Sequence, residues 1–434
     1  MMTTNKLGLY IHIPFCIRKC NYCAFNSVGV CAAGAGTGIY GSTAGSESAF
    51  GQAGSANGQA CDFTEAALLL FRKYTDAVKN EIDFYGRLAA DSYFVDTVFI
   101  GGGTPSVIPA EYISEILEQT AGSFRLSDGA EITIECNPGT LTETKLNTYI
   151  KSGINRVSMG VQSFDDGLLR ILGRIHDSKT AKESFHLLRS AGFQNINLDL
   201  MFSIPGHDMN LWKKTLDEAF ALRPEHISFY SLQLEENTPF FDMFEKGELD
   251  LPSDELDRKM YHEAIAVLEE KGYEHYEISN ASVPGKRCRH NLKYWSLDEY
   301  LGIGAGAHSY FAGCRFFNRE NADEYITSLC GEEFSPKKES EAFFAPCVQS
   351  EDIVRNTKDD DMSEFVFTGL RKTEGINLGE FSARFGRSFF EVYRGCIPQL
   401  KEYEKNELLS LNNDNFRLTR KGIDISNSIM ALFV

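Results

Sequence analysis

The 434 residues carry 43 Lys and Arg against 61 Asp and Glu, a formal net charge of −18, with 43% hydrophobic residues. That length allows one large core plus a smaller domain, and the acidic balance argues against a nucleic-acid partner, which needs a basic face for phosphate. No apolar run reaches the roughly 18 residues that span a bilayer, and the amino terminus lacks the pattern of a secretory signal; a cytoplasmic protein is expected.

In chain order, residues 7–13 (LGLYIHI) read as a strand that runs into three cysteines, Cys16, Cys20 and Cys23, spaced C-x3-C-x2-C. Residues 28–60 are dominated by Gly, Ala and Ser and read as a flexible insertion. They contain a G-x-G-x-x-G at Gly36, Gly38 and Gly41, an accidental match, because no strand leads into it. A helix is expected over 63–90, then a strand (FVDTVFI) ending at GGGTPS, a helix at PAEYISEILEQTAG and a strand at AEITIECNPG. The alternation continues with a helix over 142–152, the strand RVSMGVQSF, a helix over 180–191 and the strand INLDLMFSIPG. A helix over 211–222 and the strand HISFYSLQL complete six strand–helix units. Alternation of this kind implies parallel strands covered by helices, with functional groups at the carboxyl ends of the strands.

The fold class expected is therefore α/β, a partial (β/α)6 barrel open on one side. Its core covers residues 1–245. Residues 246–345 form an extension containing RHNLKYW and YLGIGAGAHSYF, and residues 346–434 a small, mostly helical, winged-helix-like domain.

Eleven cysteines are present, most of them scattered, without the dense spacing of a disulfide-stapled domain. The clustered three differ. A structural zinc site needs four ligands, and the next cysteine, Cys31, lies in the insertion. Zinc with a distant fourth ligand, or three unconnected thiols, remain alternatives. A four-iron cluster on three thiolates is the better reading, because it leaves one iron open to bind a ligand.

Together, YIHIPFCIRKCNYCAF, GGGTPS, IECNPG, GVQSF, LGR and NLDLMFSIPG resemble the radical S-adenosylmethionine superfamily, and within it the oxygen-independent coproporphyrinogen oxidase-like group. The resemblance covers nearly the whole chain apart from the insertion. It implies a [4Fe–4S] cluster on Cys16, Cys20 and Cys23 whose open iron chelates S-adenosyl-L-methionine, cleaved on reduction to a 5′-deoxyadenosyl radical. It also implies that Gly101, Gly102 and Gly103 admit a ligand close to the backbone and that Thr104 adds a hydroxyl. Glu135, Gln162, Arg174 and Asp199 would hydrogen-bond the cofactor, and Tyr10 and Tyr22 would pack beside it. Taken singly, each carboxylate reads equally well as a satisfied strand-end acid, and each glycine as a turn.

Two features separate the branches of this group. The oxidases carry a further cysteine two residues after the third, where this chain has Phe25, and a longer segment ahead of the cluster. HNLKYW (His290 to Trp295) matches the H-N-x-x-Y-W signature of the haem-chaperone (HemW) branch. That resemblance implies haem as a third bound group, with His290 as an axial ligand and Tyr294 and Trp295 against the porphyrin. His12, His308 and Cys288 are competing ligands. The partners implied are haem and an acceptor protein, membrane-associated or not, with no nucleic acid and no transmembrane segment. Coproporphyrinogen oxidase activity is not expected, and an oxidase or another radical enzyme is the alternative function.

Overall fold

The computed structural model describes residues 5–30, 63–89, 91–331, 344–348 and 352–434. Most of the Gly/Ala/Ser-rich insertion, with Cys31 and the accidental glycine motif, lies outside them.

Six parallel strands follow one another in chain order: β1 (Asn5–Ile13), β2 (Tyr93–Gly102), β3 (Leu126–Cys136), β4 (Arg156–Gln162), β5 (Ile196–Phe202) and β6 (His226–Ser231). Between them run α1 (Glu65–Ala89), α2 (Ala110–Ser123), α3 (Glu143–Lys151), α4 (Ser178–Ala191) and α5 (Met209–Leu222), and α6 (Asp254–Glu270) follows β6. Side-chain caps at Thr142, Asp177, Asp208 and Ser253 start α3 to α6 by accepting hydrogen bonds from otherwise orphaned amides. Parallel strands buried on both faces should read as apolar runs, and in β1 Leu7, Leu9, Ile11 and Ile13 are fully buried.

The expected partial barrel is thus present, and its sheet is wider than six strands. Beyond β6 lie β8 (Asn280–Ser282) and β7 (Glu274–Glu277), both antiparallel. The segment YEHYEISNAS, whose pattern suggests a single strand, forms these two strands and the turn between them. On the other side of β1, β9 (Tyr300–Ile303) pairs in parallel, followed by antiparallel β10 (His308–Phe311), β11 (Cys314–Phe317) and β12 (Val354–Arg355). RHNLKYW forms the short helix α7 (Arg289–Trp295).

The carboxyl-terminal segment opens with α8 (Lys358–Gly369), started by a Thr357–Asp360 capping box. Helices Leu378–Phe385 and Ile397–Lys405 pack with a three-stranded sheet of Ile376–Asn377, Asn415–Leu418 and Leu409–Leu411 around Phe365, Phe381, Phe389, Phe416 and Phe433. The strands at 409–411 and 415–418 pair as an antiparallel hairpin. Among the described residues, no helix is long and apolar enough to cross a membrane.

One buried carboxylate joins α1 to the β9–β10 connection. Glu81 accepts hydrogen bonds from the Gly304 amide at 2.9 Å, the Tyr325 hydroxyl at 2.6 Å and Asn318 Nδ2 at 2.7 Å. Burial nevertheless pushes its carboxyl up to about 7. A raised carboxyl favours the fold below its unfolded value, and that contribution is lost as pH climbs from about 4.5 through about 7. The loss is roughly 3 kcal/mol at one pKa unit per 1.4 kcal/mol. Melting temperature measured from pH 5 to 9 should therefore decline more steeply for the wild type than for Glu81→Gln. Parallel profiles for the two proteins would refute this.

Candidate cofactor site and the groove beside it

The cysteine loop hangs from the carboxyl end of β1 and is pinned there by hydrogen bonds running across three further strand ends. Thr104 Oγ1, just past β2, lies 3.5 Å from Cys16 Sγ. Asn137 Nδ2, just past β3, donates to the same Thr104 oxygen at 2.8 Å. Arg174, beyond β4, donates to Asn137 Oδ1 at 2.6 Å, and its other terminal nitrogen reaches Cys20 Sγ at 3.5 Å. The Cys23 amide bonds back to the Cys20 carbonyl at 3.3 Å. Two of the three sulfurs are thus tied by Thr104, Asn137 and Arg174 into one polar chain. Burial pushes the Cys16 and Cys23 thiols up.

Deeper in the barrel, a polar layer is built from side chains two apart on adjacent strands, which therefore share a face. Arg156 and Ser158 come from β4, Asn197 and Asp199 from β5, His226 and Ser228 from β6. Ser158 pairs with Asn197, and Asp199 with Ser228, in the sheet register. Asn197 Nδ2 donates to Ser158 Oγ at 2.7 Å, Asp199 Oδ1 at 2.7 Å and Ser228 Oγ at 3.0 Å. Its Oδ1 accepts from His226 Nδ1 at 2.6 Å. Glu135, at the end of β3, accepts from the Gly102 amide at 3.1 Å. Burial, reinforced by Asp199, pushes the Glu135 carboxyl up to about 8, and burial raises that of Asp199. A cavity of about 230 Å³ opens on this layer, lined by Tyr10, Gly102, Glu135, Asp199, His290 and Tyr294 among others.

The remaining predicted residues take different places. Gln162 sits at φ +67° beside a register shift in the β4–β5 pairing, with Oε1 accepting from the Tyr230 hydroxyl at 2.8 Å. Tyr22 lies beside Arg174, Cys20 and Cys23 and packs against a small apolar cluster that includes Leu168, Leu172 and Met201. The glycines call for a correction of their expected reason. A Cβ at Gly101 would meet the Glu135 carboxyl at 2.9 Å, one at Gly102 the His12 ring at 2.5 Å, and one at Gly103 the Phe15 backbone at 2.9 Å. Their smallness is first required by the protein itself, which lays the end of β2 directly on residues 12–15. The Gly103 and Thr104 amides donate to the Ile13 and Phe15 carbonyls at 2.9 and 2.8 Å.

Three histidines and a cysteine were candidates to face haem. His290 is 1% exposed, with Nδ1 on Thr97 Oγ1 at 2.8 Å, Nε2 on the Tyr294 hydroxyl at 2.9 Å, and its ring stacked on Phe99. Burial pushes its pKa down to about 3. His12 is equally committed: Nδ1 accepts from the Tyr10 hydroxyl at 3.0 Å and Nε2 donates to the Asn26 carbonyl at 2.8 Å. Cys288 is fully buried against Glu131. His308 alone of the four is exposed. It stands in a groove of about 870 Å³ between the barrel mouth and α8, with Phe25, Tyr294, Trp295, Arg315 and Phe367 among its walls.

The residues present suit the cluster and S-adenosylmethionine. Among the described residues no three His, Cys, Asp or Glu converge as a single-ion site would require, while Cys16, Cys20 and Cys23 are carried on one loop held by Thr104, Arg174 and the Cys23–Cys20 backbone bond. Arg174 Nε is buried without a hydrogen-bond partner. Burial disfavours the charged forms of Glu135 and Asp199, and a cationic ligand such as an ammonium entering the cavity would favour them again. When bound, the pair supplies reductive cleavage of S-adenosylmethionine. Sequence reasoning missed Asn137, which links the cysteine loop to Arg174, and the layer at Arg156, Ser158, Asn197, His226 and Ser228. Their signal was legible: RVS, NLD and HIS each read polar–apolar–polar on three successive strands, NLD and HIS in register and RVS two residues out of it.

Comparison with known proteins accords with this geometry. Residues 10–219 match the Radical SAM superfamily, and residues 356–425 match the HemN C-terminal domain. The chain is 32% identical over 428 residues to "Heme chaperone HemW" of Bacillus subtilis, covering 98% of both chains. It is 30% identical over 436 residues to the protein of the same name from Escherichia coli, covering 100% of each. It is 33% identical over 433 residues to "Radical S-adenosyl methionine domain-containing protein 1, mitochondrial" of Danio rerio, covering 98% of this chain and 86% of that one. The structure titled "Coproporphyrinogen III oxidase (HemN) from Escherichia coli is a Radical SAM enzyme" superposes with a TM-score of 0.77 at 21% identity, over 99% of this chain and 90% of that chain, a likeness of fold. With relatives matched end to end, this chain belongs to the HemW family of haem chaperones within the radical S-adenosylmethionine superfamily.

Proposed function

We propose that this chain binds haem and passes it to an acceptor protein, with a [4Fe–4S] cluster and S-adenosylmethionine held at the carboxyl ends of the barrel strands. The full-length similarity to proteins named haem chaperones carries this reading. Cys16, Cys20 and Cys23 hold the cluster, and Thr104, Asn137 and Arg174 fix the loop that presents them. Glu135 and Asp199 receive the polar end of S-adenosylmethionine beside Tyr10, Tyr22, Gly102 and Gly103, while Gln162 and Tyr230 shape the floor. The barrel to residue 245 is the cofactor domain, residues 246–345 extend it toward the haem, and 346–434 form the terminal domain. The net charge of −18 disfavours nucleic acid as the acceptor.

Phe25 is 67% exposed and lies on the borders of both the barrel cavity and the outer groove. A side chain with no proton to give or take stands where the oxidases carry a cysteine, and this favours the chaperone over the oxidase. Two anaerobic assays of the reconstituted protein test the reading. Haem titrated in should bind at about one per chain, followed in the visible spectrum. Coproporphyrinogen III supplied with reductant and S-adenosylmethionine should give no protoporphyrinogen. Turnover of roughly one per second or faster would make it an oxidase.

A further inference from the structure

We propose that haem is held in the outer groove, with the His308 imidazole as axial ligand of its iron and Lys19 at the rim facing a propionate. The inference rests on the haem-binding reading above and assigns that activity a site. His290 becomes a positioning residue, which fixes the Tyr294 ring in the groove wall.

An axial imidazole must offer the iron a lone pair on a ring nitrogen. In His12 and His290 both nitrogens already have partners. For His290 to ligate haem, the Tyr294 or Thr97 bond would have to break and the ring leave a fully enclosed place. His308 needs neither change. Its nitrogens make no hydrogen bond among the described residues, and its ring is stacked on Phe317 at 4.9 Å between centroids and 22° between planes. The backbone beneath is fixed at the start of the β10–β11 hairpin, where His308 pairs with Phe317. Gly302 makes room for it: a Cβ there would strike the His308 carbonyl. The imidazole is therefore held in place and unoccupied, as a ligand for an incoming metal should be.

The walls suit a porphyrin. A volume of about 870 Å³ lies within the range of sites for sizeable organic ligands, and Phe25, Tyr294, Trp295 and Phe367 offer rings to a flat apolar macrocycle. The charged groups facing the groove are Lys19, Arg315, Glu320 and Glu364. Arg315 is already committed to the Glu364 carboxylate, with the Tyr300 hydroxyl at 3.2 Å. That cancels one carboxylate and leaves Lys19, which makes no ion pair among the described residues, as the cation open to a propionate. Burial lowers the pKa of His308, so its imidazole is neutral near pH 7.

The test is anaerobic haem titration of full-length, cluster-reconstituted protein, read in the visible spectrum and by affinity. His308→Ala should shift the haem bands and weaken binding at least tenfold with iron content retained, and added imidazole should restore the bands. Lys19→Glu should weaken binding severalfold at low salt. His290→Ala, where circular dichroism shows it folded, should keep the wild-type haem bands. If both histidine variants lose the bands, restoration by imidazole in His308→Ala alone supports the assignment, and restoration in His290→Ala alone overturns it. Unchanged bands in His308→Ala overturn it too. A wild-type protein that binds no haem would instead bring down the functional reading on which the assignment rests.

Discussion

Anaerobically reconstituted protein should hold about four irons and four sulfides per chain, and Cys16→Ala, Cys20→Ala or Cys23→Ala should each lose essentially all of both. A cluster on three thiolates has no spare ligand to recruit. The loop that carries them is also specifically placed: Cys16 is tied to Thr104, Cys20 to Arg174, and the Cys23 amide to the Cys20 carbonyl. Scattered cysteines supply the control. Cys330→Ala, on an exposed helix end, and Cys31→Ala, outside the described residues, should leave iron and sulfide unchanged. The elemental assay decides between chemistries as well, since stoichiometric zinc in place of iron would overturn the cluster assignment.

The second large effect lies in the backbone. Gly103→Ala should lower stability by about 2 kcal/mol or more and reduce cluster retention, because the added Cβ would press on the Phe15 nitrogen, oxygen and carbon at 2.9 to 3.0 Å. None of those atoms belongs to a side chain that could rotate away. Relief would have to stretch the hydrogen bonds from Gly103 to Ile13 and from Thr104 to Phe15, the second of which ends one residue ahead of Cys16. Gly122→Ala is the matching control. It lies within α2 with nothing within 4 Å of the new Cβ, so it should stabilise by up to about 1 kcal/mol. Denaturant melts that place the two variants together would refute the argument from close approach.

The barrel was legible because its strands alternate with helices whose lengths and caps are local properties. The strand LGLYIHI and the cysteine spacing led straight to the site. What stayed hidden depended on neighbours distant in sequence. The glycines of GGGT look like a ligand cradle until β1 is laid beside β2, whereupon their missing Cβ atoms prove to be filled by His12, Phe15 and Glu135. His290 stands in the most family-specific hexapeptide, yet Thr97 and Tyr294 occupy its ring. Of the candidate ligands among the described residues, His308, in a plain glycine-rich stretch, is the exposed imidazole without a hydrogen-bond partner. No single-strand pattern reveals which histidine has partners, because those partners come from other strands.

Tyr10, Phe25 and Tyr294 line both the barrel cavity and the outer groove, so the two spaces share part of their walls. Ligands in the two spaces would touch the same three rings, so a ring displaced by one would be met by the other. Thermodynamic linkage then makes the influence mutual: whatever factor the first ligand applies to the affinity of the second, the second returns to the first. Were haem held in the groove as proposed, its affinity there and that of the barrel's ligand would be tied by one and the same factor.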